Sequence, residues 1–130
     1  MIWSMRNEKL IDKNDKIFVA GHKGMVGSSI CRKLANDGYE NLIVVNKKEL
    51  DLRDDSAVKR WFIINKPSIV IIAAAKVGGI YANSKYPVEF LFDNLKIQNN
   101  LISNSFLSQV KRLLFLGSSC IYPKYATQPI

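Results

Sequence analysis

Two places in this sequence combine residue types that could do chemistry. The first is Ala20-Gly21-His22-Lys23-Gly24-Met25-Val26-Gly27, where three glycines recur as G-x-x-G-x-x-G. A short apolar run, Ile17 to Ala20, precedes them and an amphipathic run follows at once, which reads as strand, tight turn and helix. A glycine at the strand end reaches backbone conformations closed to other residues, and one in the turn lets the chain approach a pyrophosphate. The third removes bulk where helix packs on strand, so that the N–H groups opening the helix, at Met25, Val26 and Gly27, face the phosphates. Glycine spacing alone suits an ordinary tight turn as well. The strand before and the helix after turn the reading toward a dinucleotide site.

The second place is Leu116-Gly117-Ser118-Ser119-Cys120, at the end of another apolar run. A serine there can hydrogen-bond a substrate hydroxyl or carbonyl, and a cysteine can act as acid or base if a neighbour lowers its pKa. From spacing alone, a small polar turn with a buried thiol is the simpler account. The single histidine, His22, lies in the glycine loop and reads as a loop donor rather than a catalytic base, so no Ser-His-Asp set is expected. Cys31 and Cys120 sit in different kinds of segment and form no metal or redox spacing, and no metal is expected.

Positioning these residues requires alternating strands and helices. Strands are expected over Lys16 to Ala20, Leu42 to Val45, Ser68 to Ala75 and Leu113 to Leu116. A first helix is expected from about Met25 to Asp37, with Val26, Ile30 and Leu34 on its core face and Gly38 at its end. Asp54 reads as the N-cap of a helix carrying Val58, Trp61 and Phe62, stopped by Lys66-Pro67. A loop with Gly78-Gly79 follows the third strand, and Pro87 opens a long helix to about Gln109. This alternation predicts an α/β fold, a Rossmann-like doubly wound parallel sheet, with the ligand beyond the carboxyl ends of the strands. Residues 1–15 read as a poorly ordered leader and residues 16–130 as the incomplete dinucleotide-binding domain.

The strand ends then say more about the ligand. After the second strand, a cofactor with a free ribose 2′-hydroxyl usually meets Asp or Glu, whereas here Val45-Asn46-Lys47-Lys48 offers no acid before Glu49. Lys47, with Lys23 in the glycine loop, suits a 2′-phosphate by charge, so NADP(H) is preferred to NAD. The plainer alternative makes Lys47 and Lys48 surface charges in a loop. Ala73, Ala74, Ala75 and Lys76, at the end of the third strand, converge on the same crevice.

With those residues in place, the chain resembles the extended short-chain dehydrogenase/reductases of the NAD-dependent epimerase/dehydratase family. The resemblance rests on Ala20 to Gly27, on Ala73-Ala74-Ala75-Lys76-Val77-Gly78-Gly79-Ile80, and on Leu113 to Lys124, and it covers Lys16 to Ile130. Within that family it is closest to the branch that epimerises GDP-4-keto-6-deoxy-D-mannose at C3 and C5 and reduces C4 with NADPH. The resemblance implies that the glycine motif holds the pyrophosphate, Ala73 to Lys76 lies on the nicotinamide side, and Leu116 to Ser119 lines the cofactor. It implies that Ser118 belongs to a Ser-Tyr-Lys set, that Cys120 is the acid/base of epimerisation, and that Asn94 supports the site. A homodimer is implied for the full-length family member. Val45 stands where the family often carries an arginine for the 2′-phosphate, which leaves that role to Lys47 and Lys23. No Tyr-x-x-x-Lys occurs at a suitable place, so the chain is expected to be a cofactor-binding part that is inactive alone. Another nucleotide-sugar epimerase/dehydratase, or a non-catalytic NADP-binding module, is the alternative.

Composition bounds these readings. The chain has 130 residues, 48% hydrophobic and 23% charged, which is ordinary globular usage. No apolar run reaches the roughly 18 residues of a membrane span, and the N-terminus lacks a signal-peptide core, so a cytoplasmic protein without a membrane partner is expected. The net charge of +8 permits nucleic-acid binding, but the lysines are scattered and not interleaved with aromatics, so no nucleic-acid partner is expected.

Overall fold

The computed structural model describes residues 10–118, 121–123, 125–127 and 129. Its strands are β1 (Ile17–Ala20), β2 (Leu42–Ile43), β3 (Ile69–Ile72) and β4 (Arg112–Phe115). They form one parallel sheet in the order β2-β1-β3-β4. The helices are α1 (Met25–Asn36), α2 (Asp55–Asn65), α3 (Ile80–Lys85) and α4 (Pro87–Leu107). This is the expected Rossmann-like arrangement.

Alternation along the central strands divides the core in two. Phe18, Ala20, Val70 and Ile72 point to one face, where Val58 and Phe62 of α2 and Leu101 of α4 cover them. Ile17, Val19, Ile69 and Ile71 point to the other, against Ile30 and Leu34 of α1. Because both faces are covered, β1 and β3 are apolar at every position. Phe18, Trp61 and Phe62 form a tilted and edge-to-face cluster, with centroids 4.3, 6.2 and 5.5 Å apart. The chain leaves β1 toward β2 on one side and β3 toward β4 on the other. The β1–β3 boundary is therefore the switch point where such sheets open a crevice.

Most boundaries follow the expected signals. The Asp54 side chain accepts from the Ala57 N–H at 3.0 Å, and Lys66 ends α2 at φ 45° before Pro67. Gly38, at φ +78°, turns the chain after α1 so that the Tyr39 N–H reaches the Leu34 carbonyl at 3.0 Å. Three strands are shorter than expected. β3 stops at Ile72 because Gly21 turns β1 away at φ +88°, the last bond between them running from the Ala73 N–H to the Ala20 carbonyl. β2 ends at Ile43, short of Val44 and Val45, which the register would set beside Val19 and Ala20, and β4 is shifted by one residue. Val26 is not on the core face of α1 but 46% exposed. Gly27 is buried in its place, since the first turn of α1 meets the loop backbone to backbone. The short helix α3 was expected as loop. Asn83 Nδ2 starts it by donating to the carbonyls of Gly78 and Gly79 at 2.8 and 3.1 Å.

Part of the expected poorly ordered leader, residues 10–15, is folded. Residues 1–9 lie outside the described residues, whereas residues 10–15 fold under the amino ends of the strands. Ile11 packs on the α1 side of the sheet, and Asp15 is 6% exposed. Asp15 Oδ1 accepts from Ser68 Oγ at 3.0 Å and from Lys111 Nζ at 2.6 Å, while Ser68 Oγ accepts from the Lys16 N–H at 2.8 Å. One carboxylate thus ties the starts of β1, β3 and β4. The Lys111 ammonium beside it holds the Asp15 carboxyl below the usual carboxylate range.

Among the described residues, two stretches of apolar surface are open. On α4, Val88, Leu91, Leu95, Ile102 and Phe106 form an exposed stripe opposite the side that meets the sheet. On β4, Leu113, Leu114 and Phe115 are exposed along the sheet edge.

Candidate functional site

At the carboxyl ends of β1 and β3, on the switch point, lies a cleft of about 410 Å³. The glycine turn forms one wall. The Gly24 N–H closes the turn onto the Gly21 carbonyl at 2.9 Å, and α1 starts with no side-chain cap at Gly24 and no acidic residue in its first turn. Unlike α2, which Asp54 caps, α1 leaves its first N–H groups without a side-chain partner at the mouth of the cleft.

The three glycines do different work. A Cβ at Gly21 would lie 2.7 Å from the Ala73 carbonyl, and its positive φ disfavours any side chain. A Cβ at Gly27 would overlap the Gly21 carbonyl, so this glycine lets α1 close onto the turn. At Gly24 a Cβ would meet only the Gly21 oxygen, at 3.3 Å, and the residue lines the cleft. Gly21 and Gly27 shape the turn; Gly24 keeps it open toward a ligand.

Asn46 and Lys47, beyond β2, line the cleft beside His22 and Lys23 of the glycine turn. Asn46 Nδ2 donates to Glu49 Oε1 at 3.1 Å, but its Oδ1 is buried and meets no donor among the described residues. A buried acceptor without a partner, two lysines, an uncapped helix start and a glycine left open are the groups a phosphorylated dinucleotide would use. The residues present therefore fit an NADP-type cofactor.

The third wall is the segment after β3. Ala73, Ala74, Ala75 and Lys76 line the cleft, and Asn94 of α4 clamps the last of them. Asn94 Oδ1 accepts from the Lys76 N–H at 2.7 Å, while Nδ2 donates to the carbonyls of Lys76 and Phe90 at 2.9 and 2.8 Å. The supporting role expected for Asn94 is thus visible as a two-way backbone clamp.

Other expected site residues lie apart from this cleft. Met25 is 87% exposed and Gly27 is buried beneath the turn. Leu116 extends the β4 ladder by donating its N–H to the Ile72 carbonyl at 3.2 Å, and Gly117 faces open space. Ser118 borders a neighbouring shallow depression with Val77, Gly78 and Ile80, and Lys76 borders both hollows. Ser119 and Cys120 lie outside the described residues. Among the described residues, no three His, Cys, Asp or Glu come together to hold a metal ion. No helix among them is long and apolar enough to cross a membrane.

Sequence reasoning missed Asp51, Arg53 and Asp93, which also line the cleft. Arg53 Nε and Nη2 donate to Asp51 at 2.9 and 2.7 Å, and Nη1 donates to Asp93 Oδ2 at 3.2 Å. Lys76 Nζ donates to the same Asp93 oxygen at 2.9 Å. The guanidinium holds the Asp51 carboxyl down to about 2. Lys76, with Arg53 behind it, lowers Asp93, and the two carboxylates raise Arg53 in turn. The spacing Asp51-x-Arg53 was visible, but the share of Asp93 depends on where α4 docks.

Comparison with known proteins agrees with this geometry. The chain is 56% identical over 119 residues to GDP-L-fucose synthase 1 of Arabidopsis thaliana, covering 92% of this chain and 37% of that one. It is 55% identical over 115 residues to GDP-L-fucose synthase of Sinorhizobium fredii, covering 88% and 36%. Among solved structures, MlghC, a GDP-mannoheptose C4 reductase from Campylobacter jejuni with NADP bound, superposes with a TM-score of 0.87 at 41% identity, covering 92% of this chain and 38% of that chain. The chain therefore spans just over a third of the length of the relatives it matches. The model of the family described as "NAD dependent epimerase/dehydratase family" matches residues 17–130, and with the glycine turn, the switch-point cleft and the parallel sheet all in place, the chain belongs to that family.

Proposed function

We propose that this chain is the NADP(H)-binding part of an enzyme that epimerises GDP-4-keto-6-deoxy-D-mannose at C3 and C5 and reduces C4 to give GDP-L-fucose. The observation that carries the reading is the cleft itself, where an uncapped helix start, an open Gly24, Lys23 and Lys47, and the unpartnered Asn46 Oδ1 converge. The turn from Gly21 to Gly24 and the first N–H groups of α1, at Met25, Val26 and Gly27, hold the pyrophosphate. Lys23 and Lys47 hold the 2′-phosphate, and Ala73 to Lys76 lies along the ligand. The cofactor, when bound, supplies the hydride for reduction at C4. Leu116, Gly117, Ser118 and Ser119 border the reacting end. Ser118 hydrogen-bonds the C4 carbonyl oxygen, and Cys120 exchanges protons beside that carbonyl, the chemistry that epimerisation needs.

The sugar substrate is supported by the GDP-L-fucose synthases that the chain resembles, and the bound NADP of the Campylobacter reductase supports the cofactor. The chain alone binds cofactor without turning over sugar. The whole enzyme is a cytoplasmic homodimer, and the apolar stripe of α4 is a surface such a partner could cover. Calorimetry with NADPH and NADH tests the reading. The chain should bind NADPH the more tightly, and Lys23→Ala with Lys47→Ala should remove about 1–3 kcal/mol from NADPH binding only. Equal affinity for both nucleotides would refute it.

A further inference from the structure

The cluster Asp51, Arg53, Lys76 and Asp93 is not accounted for by the roles above. Its members come from three segments: the loop before α2, the end of β3, and α4. Among the described residues Arg53 is the one that touches both carboxylates, with three side-chain bonds to Asp51 and one to Asp93, and Asp93 passes the connection to Lys76. Asn100 Nδ2 adds a second tie from α4 to the same loop, donating to the Leu52 carbonyl at 3.0 Å. The four charges sum to zero, two carboxylates against two cations, so this wall presents no net charge to a ligand rich in phosphate.

We propose that Arg53 is a positioning residue for the dinucleotide, which through Asp93 locks the loop at residues 51–53 to α4 and to Lys76 and neutralises that wall of the cleft. The inference rests on the cofactor reading above. A guanidinium suits the task because its planar fork can engage Asp51 with two nitrogens and still offer a third to Asp93. A lysine can span only one partner well. Removing the guanidinium leaves two carboxylates against one cation of the cluster, Lys76 on Asp93, and the unbalanced charge faces the ligand phosphates.

The test is NADP affinity measured by calorimetry on Arg53→Met, Arg53→Lys, Asp93→Asn and the double variant Arg53→Met/Asp93→Asn, each checked for a folded circular dichroism spectrum. Arg53→Met should weaken NADP by about 10- to 100-fold, the scale of one unbalanced charge near a protein surface. Arg53→Lys should recover less than half of that factor. Asp93→Asn should also weaken binding by undoing the lock, though less than Arg53→Met because it leaves the wall one charge more positive, and the double variant, whose wall is neutral again, should be no weaker than Arg53→Met. The deficit of Arg53→Met should shrink between about 0.05 and 0.5 M salt, where an unbalanced charge on this open wall is screened. A residue that merely fills space would leave a deficit that salt does not change.

Arg53→Met binding within twofold of the wild type overturns the inference, as does a double variant whose loss is the product of the single losses. A large loss in Arg53→Met with none in Asp93→Asn also overturns it, since Arg53 would then touch the ligand directly. If Arg53→Met fails to fold, Arg53→Lys and Asp93→Asn decide: full wild-type affinity in both overturns the bridge. Failure of the wild-type chain to bind NADP at all would instead defeat the cofactor reading.

Discussion

Gly24 and Gly27 should respond to substitution in opposite ways, although both belong to one motif. Gly24 has φ −71° and ψ 163°, extended backbone that any residue adopts. An added Cβ would lie 3.3 Å from a single atom, the Gly21 oxygen, which a shift of a few tenths of an ångström relieves. Gly24→Val should therefore fold with a stability loss below about 1 kcal/mol, the usual range for an uncrowded position. Its γ carbons, however, would enter the cleft beside the helix start. NADPH affinity should fall by at least about 100-fold, roughly 2.8 kcal/mol. Gly27→Ala meets backbone instead: the Gly21 carbonyl carbon at 2.7 Å and His22 Cα at 3.1 Å. Backbone cannot rotate away, so the turn must move, at about 1–3 kcal/mol or more for overpacking. Urea unfolding followed by circular dichroism gives the stabilities, and calorimetry with NADPH gives the affinities. Gly24→Val binding within threefold of the wild type would refute the place given to the phosphates. An unchanged urea midpoint for Gly27→Ala would refute the close approach of α1 to the turn.

Three further outcomes are expected. Asn94→Ala frees the N–H and carbonyl of Lys76 and the carbonyl of Phe90, and should cost about 2–4 kcal/mol at roughly 1 kcal/mol per bond; unaltered amide exchange at Lys76 would show that the clamp does not hold it. The folded pKa of Asp15 lies below its unfolded value near 3.9, so its stabilisation is present above that value and is lost as pH falls through the folded one. The stability gap between wild type and Asp15→Asn should then hold from pH 6 to about pH 5 and narrow as pH falls below about 4, and a gap that stays constant there would contradict the ionic tie. In a longer protein that supplies Tyr-x-x-x-Lys, Cys120→Ser should stop solvent deuterium entering the sugar while NADPH still binds, and Ser118→Ala should slow hydride transfer by about 100- to 10,000-fold; deuterium exchange at the normal rate in Cys120→Ser would remove the thiol from epimerisation.

The sheet was legible because each signal was local. Ile17–Ala20 and Ile69–Ile72 are apolar at every position, as buried parallel strands must be, and Asp54, Gly38 and Pro67 mark helix ends by their own chemistry. The cleft was legible in part, since Met25, Gly27 and Leu116 to Ser118 do not line it. Gly21, Gly24, Asn46 and Ala73 follow strand ends, and strand ends converge by topology. Val26 misled because its four-residue spacing to Ile30 suits a core face, while the close approach at Gly27 turns the first turn of α1 by one position. Arg53 and Asp93 are 40 residues apart in sequence, and only the docking of α4 on α2 brings them together. The fold of residues 10–15 depends on a long-range partner too: Asp15 looks like a polar linker residue until Lys111, 96 residues later, reaches it.

The cleft has an order in time as well as in space. Every residue that lines it falls between Phe18 and Ile97, so all its walls are translated before Arg112–Phe115 of β4. Chains emerge from the ribosome amino end first, and domains fold as they appear. A dinucleotide that binds only the folded cleft pulls that folding forward by mass action, by about 2.7 kcal/mol when its concentration is a hundred times its dissociation constant. The edge still open at that moment is β3, Ile69–Ile72, apolar at every position and waiting for β4. An unpaired apolar edge is the feature of a nascent chain most prone to misassociate. Cofactor supply during synthesis would then govern how much protein survives its own birth, and cells short of NADPH should accumulate less of it at equal message level.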